Sequence, residues 1–259
     1  MMNRPMRPIY RGEAYWIAPE KTIGSEQSSI RERPGIIVSN DMENRTSDHV
    51  LAVFTTTQKK TKIPTHTSVM MQQKSIALCE QVKLVPKRYI KNYIGQCDQE
   101  EILRINKALG LSLNIGVRSK KELYPQQCQR NKNPFSRGRL CSIQDKYDPK
   151  EHWPGIIVSN NIGNIESPIL EIARFHEGEA SSPLHITFKT IPGWYLDLGY
   201  IDTIDKSRAT PQQKYIPWKN LQKTGNAMEL SLGLKPTDEI VAAYNRIRNK
   251  ERTNHVVSH

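Results

Sequence analysis

Apolar residues along this chain gather in short runs that are rich in β-branched side chains, which is the pattern of buried strands. One such run, GIIVSN, stands at residues 35–40 and again at residues 155–160. Two further runs, VLAVFTT at 50–56 and IALCEQVKLV at 76–85, have the same character. The pattern therefore predicts a mainly β protein.

In two segments the apolar residues recur at helical intervals instead. In residues 98–113, Asp98 is placed to cap a helix, acidic residues fill the first turn, and apolar residues at positions 102, 103, 105 and 109 recur at helical intervals. A second helix is predicted to begin at Thr237, with Ile240 and Tyr244 on its apolar face. Short strands followed by a helix predict a small barrel.

An internal repeat determines how the chain is divided. Residues 34–40 and 154–160 both read PGIIVSN, an offset of 120 residues, and at an offset of 119 the sequence PTH meets PLH and the pair LS recurs. Such self-similarity is typical of repeated structural units. We expect a first domain at 7–115, a basic linker at 116–133, a second domain at 134–236, and a C-terminal helix and tail at 237–259.

Composition narrows the class of protein. The 259 residues suffice for two small domains. No run of 18 apolar residues predicts a membrane span, and the opening MMNRPMRPIY has no apolar core of a signal peptide. Four cysteines form no C-x-x-C pair and seven histidines form no H-E-x-x-H motif, so we expect free thiols in a reducing compartment and no metal site.

The positive charge is concentrated in the first half and the linker. The net charge is +12. Residues 1–118 hold 18 Lys and Arg against 11 Asp and Glu (+7), residues 119–153 hold 8 against 4 (+4), and residues 154–259 hold 12 against 11 (+1). This distribution favours a polyanionic partner for the first half.

Seven motifs of the first copy follow one another in a fixed order: RGEAYW, GSEQ, RPGIIVSND, AVFT, IPTH, CEQV and a helix that ends in LSL. Together they resemble the MazF/PemK family of toxin endoribonucleases over residues 9–115. The resemblance implies a mainly β fold with short helices, in which two tandem SH3-like (CcdB/PemK-type) small barrels form an intramolecular pseudo-dimer.

The resemblance also carries an expected activity. Members of this family cleave single-stranded RNA without a metal ion or other cofactor, act in the cytoplasm, and are silenced by an antitoxin. For this chain it implies cleavage of messenger RNA and a cognate antitoxin protein with an acidic, disordered segment.

The family's catalytic set maps onto the first copy. It comprises Glu26 from the GSEQ loop, an arginine before a proline, and Thr55 at the end of a strand. Here the loop reads GSEQSSIRERP, two residues longer than the family pattern. Counting from GSEQ selects Arg31, whereas counting back from the strand selects Arg33. Because strands keep their register better than loops, we favour Arg33 and keep Arg31 as the alternative.

Each of these residue types suits metal-free RNA cleavage. The neighbouring 2′-hydroxyl is the nucleophile, so one group must accept its proton and donors must face the pentavalent phosphorane. A guanidinium presents a planar fork to a phosphate, and the Thr55 hydroxyl can donate to a non-bridging oxygen. Glu26 can accept the proton or orient the arginine, and the sequence leaves both roles open.

Further candidates for substrate binding flank this set in the sequence. They are Ser25, Gln27, Thr56, Lys59, Lys60 and Lys62. The three lysines are also compatible with a solvated hairpin tip, and contact with RNA phosphates is the functional alternative.

The second copy lacks the catalytic set. Phe175, which has no hydroxyl, aligns with Thr55. The segment between the matching Arg and Pro residues spans 17 residues instead of 23, and the missing part is the GSEQ motif. We therefore expect residues 134–236 to be a non-catalytic partner that pairs with the first copy within a monomeric chain.

Two other functions compete with RNA cleavage. Toxins resembling CcdB have the same barrel and bind DNA gyrase without cleaving anything, and a regulator of this fold would bind RNA or an antitoxin without catalysis. The retention of GSEQ, Arg33 and Thr55 together favours an endoribonuclease.

Overall fold

The computed structural model describes residues 7–19, 31–116 and 133–257. Its first half forms one six-stranded antiparallel sheet with the strand order β4-β5-β3-β2-β1-β6. The strands are β1 (Glu13–Ile17), β2 (Arg33–Ile37), β3 (His49–Thr56), β4 (His66–Met70), β5 (Lys74–Pro86) and β6 (Ile90–Gln96). The α-helices of this half are α1 (Asp41–Thr46) and α2 (Gln99–Ser112).

The second half repeats this plan. Its sheet has the order β10-β11-β9-β8-β7-β12, which is the first order with six added to each strand number. The strands are β7 (Arg139–Gln144), β8 (His152–Ile157), β9 (Ile169–Glu177), β10 (His185–Thr187), β11 (Trp194–Asp205) and β12 (Ala209–Tyr215). The helices are α3 (Asn161–Glu166), α4 (Trp218–Ser231) and α5 (Thr237–Val257). The prediction of a mainly β fold in two tandem units is confirmed.

The register of the sheets confirms the alignment of the two copies. Val53 pairs with Val82 in the first sheet, and Ala173 pairs with Ile201 in the second. These are the offsets of 120 and 119 residues found in the sequence. By the same register, Phe175 occupies the place of Thr55.

The run GIIVSN is only partly a strand, which corrects the prediction. Strand β2 ends at Ile37, and the side chain of Asn40 accepts a hydrogen bond from the Glu43 backbone amide at 2.9 Å. Asparagine is a strong helix-capping residue, so the end of the run begins α1 instead of continuing the sheet. Asn160 caps α3 in the same way.

Helix α2 matches its prediction with one exception. Asp98 caps it and forms a reciprocal capping box with Glu101. Ile105 and Leu109 are buried in the core, as expected of the apolar face. Leu103, which was expected on that face, is 60% exposed because it points away from the sheet.

The two halves are joined by an exchange of helix ends. The backbone amide of Asn40 donates to the carbonyl of Ser231 at 2.8 Å, and the amide of Asn160 donates to the carbonyl of Ser112 at 2.7 Å. Ser112 and Ser231 are the last residues of α2 and α4. Because carbonyl groups at a helix end lack partners within the helix, each half satisfies the helix of the other.

Two arginines at matching positions extend this exchange. Arg11 Nε donates to the Leu232 carbonyl at 2.8 Å, and Arg137 donates from Nη1 to the Leu113 carbonyl. One continuous apolar core contains residues of both halves, among them Leu109 and Met228. The halves therefore contact each other through a nearly two-fold symmetric interface.

A buried carboxyl breaks this symmetry. Glu171 is 1% exposed and accepts hydrogen bonds from Ser112 Oγ at 2.8 Å and from the Val82 amide at 3.4 Å. The matching residue of the first half is Leu51, and on that side Ser231 Oγ has no hydrogen-bond partner. Burial raises the pKa of Glu171 to about 7.

We predict that Glu171→Gln stabilises the protein at neutral and alkaline pH. The neutral form of Glu171 is favoured in the folded state, so this group lowers the free energy of unfolding as pH rises from about 4.5 to about 7. The glutamine side chain cannot ionise, so the variant avoids this decrease in the free energy of unfolding, which is on the order of 3 kcal/mol at pH 8. Chemical denaturation at pH 5 and pH 8 measures it.

The control for this prediction is Glu177→Gln, at the exposed end of β9. It removes the same charge without relieving a buried carboxylate and should leave the pH dependence intact. Equal destabilisation of Glu171→Gln at both pH values would show that the hydrogen bonds of the carboxyl outweigh its desolvation.

Candidate functional site

A groove of about 280 Å³ lies where strands β2, β3 and β5 of the first half approach the second half. It contains both arginines named as candidates, together with apolar, aromatic and charged side chains. Its lining includes Arg31, Arg33, Phe54, Lys83, Tyr89, Lys146 and Asp202. Lys146 and Asp202 belong to the second half, so residues of both copies line the groove.

Arg33 is held at the start of β2, where it pairs with Ile17. Its guanidinium carbon lies 4.6 Å from the centre of the Phe54 ring, within the range of a cation–π contact. Desolvation lowers the pKa of Arg33, but a guanidinium stays charged in proteins. The contact fixes one cation at the wall of the groove.

Arg31 lies in the same groove, two residues before the strand begins. Like Arg33, it is exposed. The structure therefore brings both candidate arginines to one place, and only Arg33 is anchored by strand register and an aromatic ring. The choice between them stays a prediction.

Thr55 occupies a different environment. It is 3% exposed, and its hydroxyl donates to the Pro34 carbonyl at 3.4 Å. Neighbouring residues of a strand point to opposite faces of a sheet. Since Arg33 stacks on Phe54, Thr55 points to the face opposite the guanidinium. The structure thus brings the two residues to adjacent strands without bringing the hydroxyl and the guanidinium together.

The candidates of the GSEQ motif, Ser25, Glu26 and Gln27, lie outside the described residues. The described chain stops at Pro19 and resumes at Arg31, and both of these residues line the groove. Pro19 and Arg31, the described residues on either side of positions 20–30, thus both lie at the groove wall.

The remaining substrate-binding candidates lie outside the groove. Lys59, Lys60 and Lys62 are exposed in the segment between β3 and β4. Thr56 is half-buried, and its Oγ1 accepts a hydrogen bond from the Gln58 amide at 3.2 Å. These lysines form a cationic segment separate from the groove. Both interpretations, a solvated hairpin tip and a contact with RNA phosphates, remain predictions.

Sequence reasoning missed the contribution of the second half. Lys83 Nζ lies 3.3 Å from the Asp202 carboxylate, and Lys83 also donates to the Thr203 carbonyl. A smaller cavity of about 100 Å³ adjoins the groove and shares Lys146 and Asp202 with it. The excess of basic residues around the linker was the available signal, but it does not indicate which of them face the first half.

Possible metal ligands and cysteines are two further kinds of reactive residue in the described part of the chain. Within residues 7–19, 31–116 and 133–257, no three His, Cys, Asp or Glu side chains are grouped as metal ligands. Cys79, Cys97 and Cys141 are free, buried thiols, while Cys128 falls outside those ranges. Burial raises the pKa of Cys97 and of Cys141 to about 12, which makes them poor nucleophiles. No described helix is long and apolar enough to cross a membrane.

The first half of the chain is similar in sequence to proteins of known families. Residues 10–113 match the family described as PemK-like, MazF-like toxin of type II toxin–antitoxin system. Over 113 residues the chain is 30% identical to endoribonuclease EndoA of Bacillus subtilis (strain 168), a match that spans 41% of this chain and 96% of the relative.

Solved structures of similar proteins cover about the same share of the chain. An endoribonuclease from a Mycobacterial species, in complex with its cognate antitoxin, is 25% identical, with a TM-score of 0.35, and the match covers 42% of this chain and 99% of that one. MazF from Deinococcus radiodurans is 16% identical, with a TM-score of 0.35, and the match covers 40% of this chain and 96% of that one.

Proposed function

This chain belongs to the family of PemK-like, MazF-like toxins of type II toxin–antitoxin systems, and from that premise we propose that it cleaves single-stranded messenger RNA at selected sites, without a metal ion. The observation that supports this most is the groove that holds Arg31 and Arg33 close to aromatic side chains. Cations beside aromatic rings are the usual means of holding a single strand. With messenger RNA as the substrate, the site of action is the cytoplasm.

The proposed reaction is an internal phosphoryl transfer. The 2′-oxygen attacks the adjacent phosphorus and loses its proton, the bond from phosphorus to the 5′-oxygen breaks, and that oxygen takes up a proton. The products are a 2′,3′-cyclic phosphate and a 5′-hydroxyl. Arg33 balances the charge that builds on the phosphorane, and Glu26 is the proposed proton acceptor.

We propose that Thr55 acts from the face of the sheet opposite the Arg33 guanidinium. Its hydroxyl contacts the carbonyl of Pro34, the residue that follows Arg33. A change there shifts the start of β2 and with it the guanidinium, so Thr55 is a positioning residue in this arrangement. The sequence-based alternative, in which the hydroxyl donates directly to a phosphate oxygen, requires the strand end to rearrange.

We predict that the purified protein cleaves single-stranded RNA in the presence of EDTA. Arg33→Ala should lower the cleavage rate by roughly 100-fold, as is usual for loss of a group that stabilises transition-state charge. Thr55→Val should lower it, and Thr55→Ser, which keeps the hydroxyl, should restore it. Cleavage rates and mapping of the product ends on a defined transcript measure both effects.

The matched variant for this experiment is Arg31→Ala, since Arg31 lies in the same groove. If Arg31→Ala abolishes cleavage and Arg33→Ala does not, the count from the loop identifies the catalytic arginine. Undiminished cleavage in both would refute the site. Binding of RNA or gyrase without any cleavage by the wild-type protein would support the non-catalytic alternatives.

We also propose a neutralising antitoxin with an acidic, disordered segment. The basic first half and the groove between the copies suit a chain that folds as it binds. We predict that expression of this protein alone arrests bacterial growth and that co-expression of the adjacent small reading frame relieves the arrest. Growth curves and a pull-down measure this, and a harmless protein that captures no partner would contradict it.

We propose that the domains at 7–115 and 134–236 pair within one chain. The exchanged helix ends support this, and an unstructured chain of 18 residues, which is the length of the segment 116–133, has a root-mean-square span of roughly 23 Å. That tether gives an effective concentration in the millimolar range, so pairing within the chain should prevail over pairing between chains.

We predict that the protein sediments near its chain mass of 29.8 kDa. The interface that would join two chains is already filled within one, so the mass should not change with protein concentration. Sedimentation equilibrium over a range of concentrations measures this. A stable species of about twice the chain mass would contradict pairing within the chain.

A further inference from the structure

The second half carries the arginine–aromatic pair of the groove with its two members exchanged. In the first half Arg33 opens β2 opposite Ile17, and Phe54 lies on β3 opposite Gly35. In the second half the residue opposite Ile143 is Trp153, and the residue opposite Gly155 is Arg174. Trp153 thus stands in the place of Arg33, and Arg174 in the place of Phe54.

The exchanged pair keeps the same contact. The guanidinium carbon of Arg174 lies 5.0 Å from the centre of a Trp153 ring, against 4.6 Å for Arg33 and Phe54. It also lies 6.0 Å from the ring of Tyr200. The second half therefore also places a guanidinium over an aromatic ring here, although Trp153 stands where the first half has Arg33.

This pair lines the cavity that continues the groove. The cavity of about 100 Å³ contains Trp153, Arg174 and Tyr200 and shares Leu84, Pro86, Lys146 and Asp202 with the larger groove. One trough therefore runs from Arg33 in the first half to Arg174 in the second.

The chemistry of the cavity suits a nucleotide. A single strand is held by aromatic rings that stack on bases and by cations that follow the backbone. Trp153 is half-buried, which leaves part of it open to a ligand. Arg208 also lines the cavity and is fixed by donation to the Gln144 carbonyl at 2.6 Å. Of the two acidic residues in the lining, Asp145 and Asp202, the latter is paired with Lys83.

We propose that Trp153 and Arg174 form a subsite that binds a nucleotide of the RNA substrate without cleaving it. This rests on the proposed function of the first half. The second half has Phe175 in the place of Thr55 and an aromatic ring in the place of the catalytic arginine, so it holds RNA and has no catalytic set of its own. The subsite extends the bound strand beyond the reacting phosphate and adds affinity to the single active centre.

The test uses the full chain and a fluorescein-labelled single strand of about a dozen nucleotides, with randomised sequence and 2′-O-methyl sugars. This probe lacks the nucleophile and stays intact. Trp153→Leu keeps apolar volume without an aromatic face, and Arg174→Gln removes the cation. Each should weaken binding, measured by fluorescence anisotropy, roughly 5-fold to 100-fold, the range expected for loss of one stacked base.

Two control variants separate binding from folding. Trp153→Phe keeps an aromatic face and should restore most of the affinity. Arg139→Gln removes another arginine of the second half that lies over an aromatic ring, 4.8 Å from the centre of Tyr215, outside both cavities. It should bind the probe like the wild-type protein.

The outcomes distinguish the subsite from the proposed catalysis. If Trp153→Leu and Arg174→Gln both bind within two-fold of the wild-type protein, the subsite is refuted even where the wild-type protein cleaves RNA. If both weaken binding while the wild-type protein cleaves no unmodified transcript, the subsite stands and the proposed cleavage fails. Weakened binding together with a raised KM and an unchanged kcat on a cleavable transcript supports both.

Discussion

The structure depends on the exchange of helix ends between its two halves. The carbonyl of Ser112 at the end of α2 is satisfied by Asn160, and the carbonyl of Ser231 at the end of α4 is satisfied by Asn40. A buried carbonyl without a partner would cost free energy comparable to a lost hydrogen bond. Each helix end is therefore stabilised by a backbone amide of the other half, and these contacts hold the two halves together beside the groove.

Covalent linkage lets the two sides of that interface differ. Glu171 is buried on one side where Leu51 is buried on the other, and the arginine–aromatic pair is inverted between the sheets. In a symmetric dimer every change appears twice, so neither difference could arise on one side alone. A tandem chain can therefore differ between its two copies at positions where a symmetric dimer cannot.

The sequence predicted what local patterns and repeated letters encode. The capping of α2 by Asp98 and the alignment of the two copies follow from short stretches, and the strand register agrees with that alignment. What escaped prediction depends on pairs far apart in the chain. The orientation of Thr55 away from Arg33 follows from strand alternation against Phe54, and the approach of Lys146 to the groove follows from docking of the two halves. Neither leaves a pattern within a single element.

In the proposed function, one RNA strand lies along both halves and is cut in only one. Photo-crosslinking of the wild-type protein to a 2′-O-methyl strand that carries 4-thiouridine, followed by mass spectrometry of the peptides, tests it most directly. We expect adducts on the peptide with Phe54 and on the peptide with Trp153, at one strand per chain. Adducts confined to the exposed lysines between β3 and β4 would contradict it.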